Sequence, residues 1–337
     1  MPGSSIPYLQ GRVTKGVVII MNKEEKIYIG IDVSKSILDI SILPNKKYMQ
    51  FKNDLAGIER LIKKISKFPN ALIVMESTGG YEKLLAISLL QAGHKACIMN
   101  PRRIRDFAKS MGILAKTDKI DCDVIALFAS KIEPAPNFDY DEETNLLSEN
   151  NARRRQLIGL ITMEKNRLDK ASPKHLKGID RVIKFLTKEL NKIDIEQQKL
   201  LESNTDFAEK ADLLTSVKGI GDLTARALLA ELPELGVLGS KQIASLAGLA
   251  PFNRDSGKFK GLRTIWGGRA TVRCALYMAT LVATRHNTVI RSFYKRLLAA
   301  GKKKKVALTA CMHKLLIIIN AMIKNKTFWR EPTPLQT

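Results

Sequence analysis

The chain has 337 residues, with 56 Lys and Arg against 33 Asp and Glu, and a net charge of +23. Apolar residues make up 45 % and charged residues 26 %, which excludes a disordered, charge-dominated chain and leaves room for two globular cores. No uninterrupted apolar run reaches the roughly 18 residues that span a bilayer, which argues against an integral membrane protein. The charge is uneven: residues 1–150 hold 21 basic and 18 acidic side chains, net +3, whereas residues 151–337 hold 35 and 15, net +20. A basic half of that size points to a polyanion, and nucleic acid is the commonest one inside cells; a merely well-solvated surface is the plainer alternative.

Residues 1–25 read as an N-terminal extension, loosely held, with one apolar run (Val17–Met21) too short for a signal peptide. Ile27, Ile29, Ile31 and Val33 alternate, predicting a strand with Asp32 near its end. Residues 37–43 and 48–53 read as two further strands about a Pro44-Asn45 turn. Asp54 caps a predicted helix through Lys67, and Ala71–Met75 is a buried strand ending at Glu76. A helix from Gly79-Gly80 to Ala92, a strand Lys95–Met99 and a helix opened by Pro101 follow. The order βββαβαβα predicts an α/β layer of the ribonuclease H-like type.

Past the acidic loop Asp139–Glu143, residues 146–203 read as two long helices broken at Ser172-Pro173. Leu176, Ile179, Ile183, Leu186, Leu190, Ile193, Gln197 and Leu200 alternate in steps of three and four, a heptad seam with one polar position. That seam predicts a helical hairpin or an intermolecular coiled coil, with a helix packed on its own domain as the plainer reading. From Ala211 the pattern is mainly helical with Gly-rich interruptions. Cys97, Cys122, Cys274 and Cys311 form no CxxC pair, so neither zinc nor disulfides are expected and a reducing cytoplasm is the default; the four scattered histidines suggest no catalytic role.

Asp32 and Glu76 end strands that lie side by side in such a fold. Thr117 caps a helix whose first turn carries Asp118 and Asp121 on one face; Asp123, on another face, is an outside candidate. Each acid alone is as easily structural, Asp118 as a helix-dipole partner. Together, four carboxylates in one cleft call for cations, and oxygen-only ligands suit two Mg²⁺ ions, about 3.5–4 Å apart, that clamp an in-line phosphoryl displacement.

In the basic half, Val217-Lys218-Gly219-Ile220-Gly221 is similar to a helix-hairpin-helix turn, in which Lys218, Gly219 and Gly221 meet a DNA phosphate; a tight turn between packed helices is the alternative. The stretch Ala250–Arg269 mixes glycines with Arg254, Lys258, Lys260, Arg263 and Arg269, suited to backbone phosphates. Ser256 within it is a turn serine by composition and also a possible nucleophile on phosphorus. Lys302–Lys305 is a solvated loop or a further phosphate contact.

GIDVSK (Gly30–Lys35), MESTGGY (Met75–Tyr81), KTDKIDCDVIA (Lys116–Ala126), SVKGIG (Ser216–Gly221) and LAGLAPFNRDSGK (Leu246–Lys258), in this order, resemble the DEDD transposases of the IS-one-ten insertion-sequence group, which include Piv-type DNA invertases and bridge-RNA-guided recombinases. The resemblance runs from about Lys26 to Trp329. It implies a RuvC-like domain over 26–143, a coiled-coil hairpin over 144–210, a mainly helical transposase domain over 211–330 and a tail over 331–337. It further implies an acidic tetrad of Asp32, Glu76, Asp118 and Asp121 holding Mg²⁺, and a nucleophilic Ser256 that links covalently to DNA, the serine domain of one subunit completing the carboxylate site of another. One local departure is Asp255, where many relatives carry a serine or another polar residue. The implied partners are DNA at the element ends and target, a bridge RNA, and further copies of the chain as a dimer or tetramer, with no membrane and a cytoplasmic setting at the nucleoid.

The expected function is therefore Mg²⁺-dependent strand cleavage and exchange by an insertion-sequence transposase. A metal-dependent junction nuclease that uses water would leave the Ser256 segment without a role. A sugar-type kinase, suggested by GIDVSKS, gives no reason for the basic half, and a non-catalytic nucleic-acid binder has no use for four carboxylates.

Overall fold

Antiparallel pairing begins at once. Strand β1 (Tyr28–Val33) pairs with β2 (Ile37–Leu43), which pairs with β3 (Lys47–Lys52) across a tight turn. The computed structural model describes residues 26–115, 117–137, 140–253, 255–257, 261 and 263–331; the N-terminal extension read from the sequence lies outside them. Helix α1 (Leu55–Ile65) starts at Asp54, whose carboxylate accepts the Gly57 N–H at 2.7 Å. Strand β4 (Leu72–Glu76) then lies parallel to β1, helix α2 (Lys83–Gln91) returns, and β5 (Ala96–Met99) pairs parallel to β4. The sheet order β3-β2-β1-β4-β5 is the mixed arrangement expected from the βββαβαβα order.

Helix α3 (Pro101–Ser110) begins at its proline, with Asn100 accepting from the Arg102 N–H. Helix α4 (Asp118–Ile132) starts at Thr117, whose hydroxyl accepts from the Ile120 N–H at 3.3 Å. α4 lies directly on the sheet, and Gly30 is what permits it. A Cβ there would stand 2.2 Å from the Ala126 amide nitrogen and 2.4 Å from the Cys122 carbonyl oxygen, both backbone atoms of α4. One face of the sheet buries Ile29, Ile31, Leu38 and Ile73 with α1 and α2, while Val74, Cys97, Ile125 and Phe128 form a second apolar cluster that includes α4.

The described residues form two compact units that divide between Tyr140 and Asp141. In the second, α5 (Glu142–Leu168) and α6 (Pro173–Ser203) are the two long helices, separated at Ser172-Pro173. Most of the heptad seam on α6 is half-buried, Gln197 is fully buried, and Arg154 of α5 holds Asp194 of α6 at 2.7 Å. The seam is thus used within the chain, as an antiparallel hairpin.

Helices α7 (Thr205–Thr215), α8 (Asp222–Glu231) and α9 (Ser240–Leu246) follow. A small hairpin of β6 (Pro251–Phe252) and β7 (Thr264–Ile265) interrupts them, before α10 (Ala270–His286), α11 (Thr288–Ala299) and α12 (Lys304–Asn325). The sequence pattern, read as helix with Gly-rich breaks, did not foresee that hairpin, because each strand is only two residues long. Glu231 ties the hairpin helices to this core: it accepts from Asn151 and Thr271, each at 2.8 Å, and from Arg155. Burial alone would push its pKa up, but those donors more than offset it and hold the carboxyl below its usual range. Among the described residues α12 is the one helix long and apolar enough to cross a membrane by length and composition, yet 56 % of its apolar window is buried in the unit's own core.

Replacing Gly30 with Ala forces α4 off β1 against backbone that cannot rotate aside. A loss of about 3 kcal/mol is expected in urea unfolding of the Gly30→Ala variant, as for an overpacked core.

Candidate active site

The parallel pairing of β1 with β4 ends at Ile31 opposite Met75, so Asp32 and Glu76 are the next residues of adjacent strands. Both stand at carboxyl ends of strands, where open α/β sheets place their sites. α4 brings Asp118 and Asp121 to the same place from its first turn, which its dipole makes favourable for negative charge. One carboxylate oxygen from each of Asp32, Asp118 and Asp121 lies within 4.8 Å of the others. Glu76 lines the same cleft, of about 430 Å³, without joining that tight group. The same cleft is lined by Arg105 and Lys109 of α3, with Ile113, Leu114 and Thr78.

An all-oxygen set at this spacing fits a hard divalent cation, and unneutralised like charges this close would be costly. A thiolate or imidazole, which would favour a softer metal, is not in the set. Cys122, on the buried side of α4, stays a neutral thiol: burial, then the charges of Asp123, Asp39 and Asp32, push its pKa up to about 12.

Two acids that the sequence did not single out support the site. Asp39 is buried on β2 directly across from Asp32 and accepts from the Tyr48 hydroxyl at 2.5 Å and the Gln50 amide at 2.9 Å. That bond, with burial, raises the Tyr48 phenol to about 12, so it remains a donor. A carboxylate inside the apolar strand ILDISIL was the available signal. Glu82, also buried, accepts from the Ser77 hydroxyl and from the Thr78 and Gly80 N–H groups, at 2.9–3.0 Å. It fixes the turn that follows Glu76. Asp123, the outside candidate, accepts from the Ser41 hydroxyl at 2.5 Å.

The second unit holds the remaining candidates. Ser256 is exposed in the loop joining β6 to β7. The hairpin base is held by Gly248, which abuts Gly267 and Gly268 so closely that a Cβ on Gly248 would stand 2.2 Å from the Gly267 carbonyl oxygen, and by an edge-on contact of Phe252 with Trp266 at 6.4 Å. Asp255 accepts from the Gly261 N–H at 3.2 Å, an interaction within the loop. Arg254, Lys258 and Lys260 lie outside the described residues. Arg263 lines an apolar groove of about 960 Å³ with Phe293, Ile317 and Ile318.

Arg269, grouped by sequence with the phosphate-facing cations, is instead spent internally. It donates to both Glu234 oxygens at 2.6 and 2.7 Å and to the Glu231 carbonyl. In the turn between α7 and α8, Lys218 pairs with Glu331 at 2.9 Å, and a Cβ on Gly219 would meet Ala283 of α10 at 2.8 Å. Gly219 is therefore required by helix packing; Gly221 caps α8 with open space around it.

Two family models match the chain in succession. Residues 29–178 match a family described as "Transposase", the DEDD type of IS110, and residues 211–295 match "Transposase IS116/IS110/IS902 family". The pilin gene-inverting protein of Moraxella bovis is 31 % identical over 90 % of this chain and 98 % of its own length, and that of Moraxella lacunata matches equally. The insertion element IS110 uncharacterized 43.6 kDa protein of Streptomyces coelicolor is 27 % identical over 46 % of the chain. Among solved structures, T. thermophilus RuvC in complex with a Holliday junction substrate is 13 % identical, covers 32 % of this chain and 96 % of its own, and has a TM-score of 0.25. The protein is a transposase, an enzyme that cleaves DNA and exchanges its strands. It belongs to the Transposase IS116/IS110/IS902 family.

Removing the Glu82 carboxylate leaves two backbone N–H groups and a hydroxyl without their acceptor. Glu82→Ala is expected to cost about 2 kcal/mol in stability, with faster hydrogen exchange at the Thr78 and Gly80 amides as the local readout.

Proposed function

We propose that the chain moves an insertion element by strand cleavage and rejoining that use both units: Asp32, Glu76, Asp118 and Asp121 as a metal-holding centre and Ser256 as nucleophile. The observation that carries this reading is the meeting of Asp32, Asp118 and Asp121 within 4.8 Å, with Glu76 lining the same cleft. These four would hold Mg²⁺, two ions per site, which when bound supplies charge neutralisation for a phosphoryl group under attack.

The protein's own part is to deliver the nucleophile and conserve the bond. The Ser256 Oγ attacks a DNA phosphorus, so that an Oγ–P bond forms as one backbone P–O bond breaks. The departing strand oxygen takes up a proton, which balances the one that Oγ gives up. Attack by the hydroxyl of a second strand reverses these changes and joins it to the held phosphate. One phosphoester is exchanged for another at each step, so no external energy source is required. Exposure of Ser256 on a short hairpin suits this role, since a nucleophile must reach a polymer backbone from outside.

The net charge of +20 over residues 151–337 supports DNA and RNA backbones as partners of that half. A bridge RNA that names the target, and assembly as a dimer or tetramer, complete the proposal. The chain acts in the cytoplasm, at the nucleoid.

Ser256→Ala is expected to abolish covalent protein–DNA adducts, trapped by denaturation, while leaving DNA binding within about two-fold. Asp121→Asn should lower strand cleavage in Mg²⁺ by at least about 100-fold. Cleavage without adducts in the unaltered protein would transfer the chemistry to water and make it a junction nuclease; undiminished cleavage by Asp121→Asn would remove the carboxylates from the reaction.

A further inference from the structure

The carboxylate cleft poses an electrostatic problem. Its acidic wall carries Asp32, Glu76, Asp118 and Asp121, and the intended substrate is a polyanion. Two divalent ions carry no more positive charge than four carboxylates carry negative charge, so further cations at the cleft would help to hold the phosphates that flank the reacting one. Asp39, buried across from Asp32, deepens the negative field.

The same cleft also carries cations. Ile104, Arg105, Ala108 and Lys109 line the cleft, and their spacing places them on one face of α3. The other cations of that helix are used elsewhere: Arg102 lies 3.7 Å from Asp106, and Arg103 stacks 5.9 Å over the Phe128 ring. Arg105 and Lys109 are exposed, and among the described residues neither forms an ion pair. Lys109 sits in the last turn, where a cation also serves the helix dipole. Arg105 sits mid-helix, where that explanation fails.

We propose that Arg105 and Lys109 are a phosphate clamp that seats the cleaved strand against the carboxylates, each engaging a backbone phosphate next to the one attacked. The assignment rests on the proposed role of the carboxylates as the cleavage centre. Arg105 presents a planar fork suited to two phosphate oxygens, and Lys109 a compact charge one helical turn further on. The same two cations oppose divalent ions entering the cleft when DNA is absent, so they make tight metal binding depend on the arrival of the strand.

Two readouts on the full chain test this. Arg105→Gln and Lys109→Gln are each compared with the unaltered protein for binding a labelled duplex of the element end at several salt concentrations. Each is also titrated with Mn²⁺ alone, without DNA, by calorimetry. Each variant should weaken duplex binding by about three- to ten-fold and reduce the slope of log affinity against log salt by about 1. Each should also bind Mn²⁺ more tightly than the unaltered protein, and Arg105→Lys should recover most of the salt slope. A cation that merely supports α3 would move neither quantity, so an unaltered salt slope or an unaltered Mn²⁺ affinity overturns the clamp. Asp121→Asn separates the two ideas: it should weaken Mn²⁺ binding and keep the salt slope. If Asp121→Asn leaves Mn²⁺ binding and cleavage intact, the carboxylate reading fails instead.

Discussion

Everything at the carboxylate cleft depends on one close contact, the backbone of α4 resting on Gly30 of β1. Three acids of the cluster come from two elements far apart in sequence, and they meet only because no Cβ keeps helix and strand apart. The same contact buries Cys122 beside Asp32 and Asp39, where its thiol is too weak an acid to ionise. Packing of this kind is rigid in the sense that matters here. The opposing atoms are backbone, so they cannot adjust one at a time.

A concentration of negative charge has to be supported by its surroundings, and the first unit does this locally. The α4 N-terminus faces Asp118 and Asp121, Thr117 caps that helix, and Glu82 organises the turn after Glu76 with three donors. Asp39 is held by Tyr48 and Gln50 rather than by a cation. The only cations that line the cleft among the described residues, Arg105 and Lys109, come from a different helix. Acids and cations of one cleft are thus delivered by separate elements of the first unit.

The second unit shows that not every basic side chain is on offer to a polyanion. Arg154, Arg155, Arg269 and Lys218 are each engaged with a carboxylate of the same unit, and those pairs join α5 to α6, α5 to α8, and the chain near its end to the α7–α8 turn. These basic side chains are thus spent on holding helices together, while the net excess, which already counts their acidic partners, remains. The hairpin that carries Ser256 is held differently, by glycine-to-glycine backbone contact and an aromatic pair at its base, and Asp255 accepts from the Gly261 N–H within the loop.

Local chemistry was legible in the residues themselves. The strand alternation from Ile27 to Val33, the caps Asp54 and Thr117, the proline that opens α3 and the break at Ser172-Pro173 each act over a few residues, so sequence determined them, and with them the βββαβαβα order. The spacing of Asp118 and Asp121 also fixed that they share a helix face. What tertiary structure alone decided concerns partners distant in the chain. It brought Asp39 behind Asp32, gave Glu82 its three donors, turned Arg269 inward to Glu234, and made Gly219 a packing residue against Ala283. A cation or a glycine looks alike in sequence whether it faces a phosphate or a neighbouring helix. Only the folded backbone determines which atoms stand within a few ångströms of it, and at that range hydrogen bonding and steric exclusion settle the role.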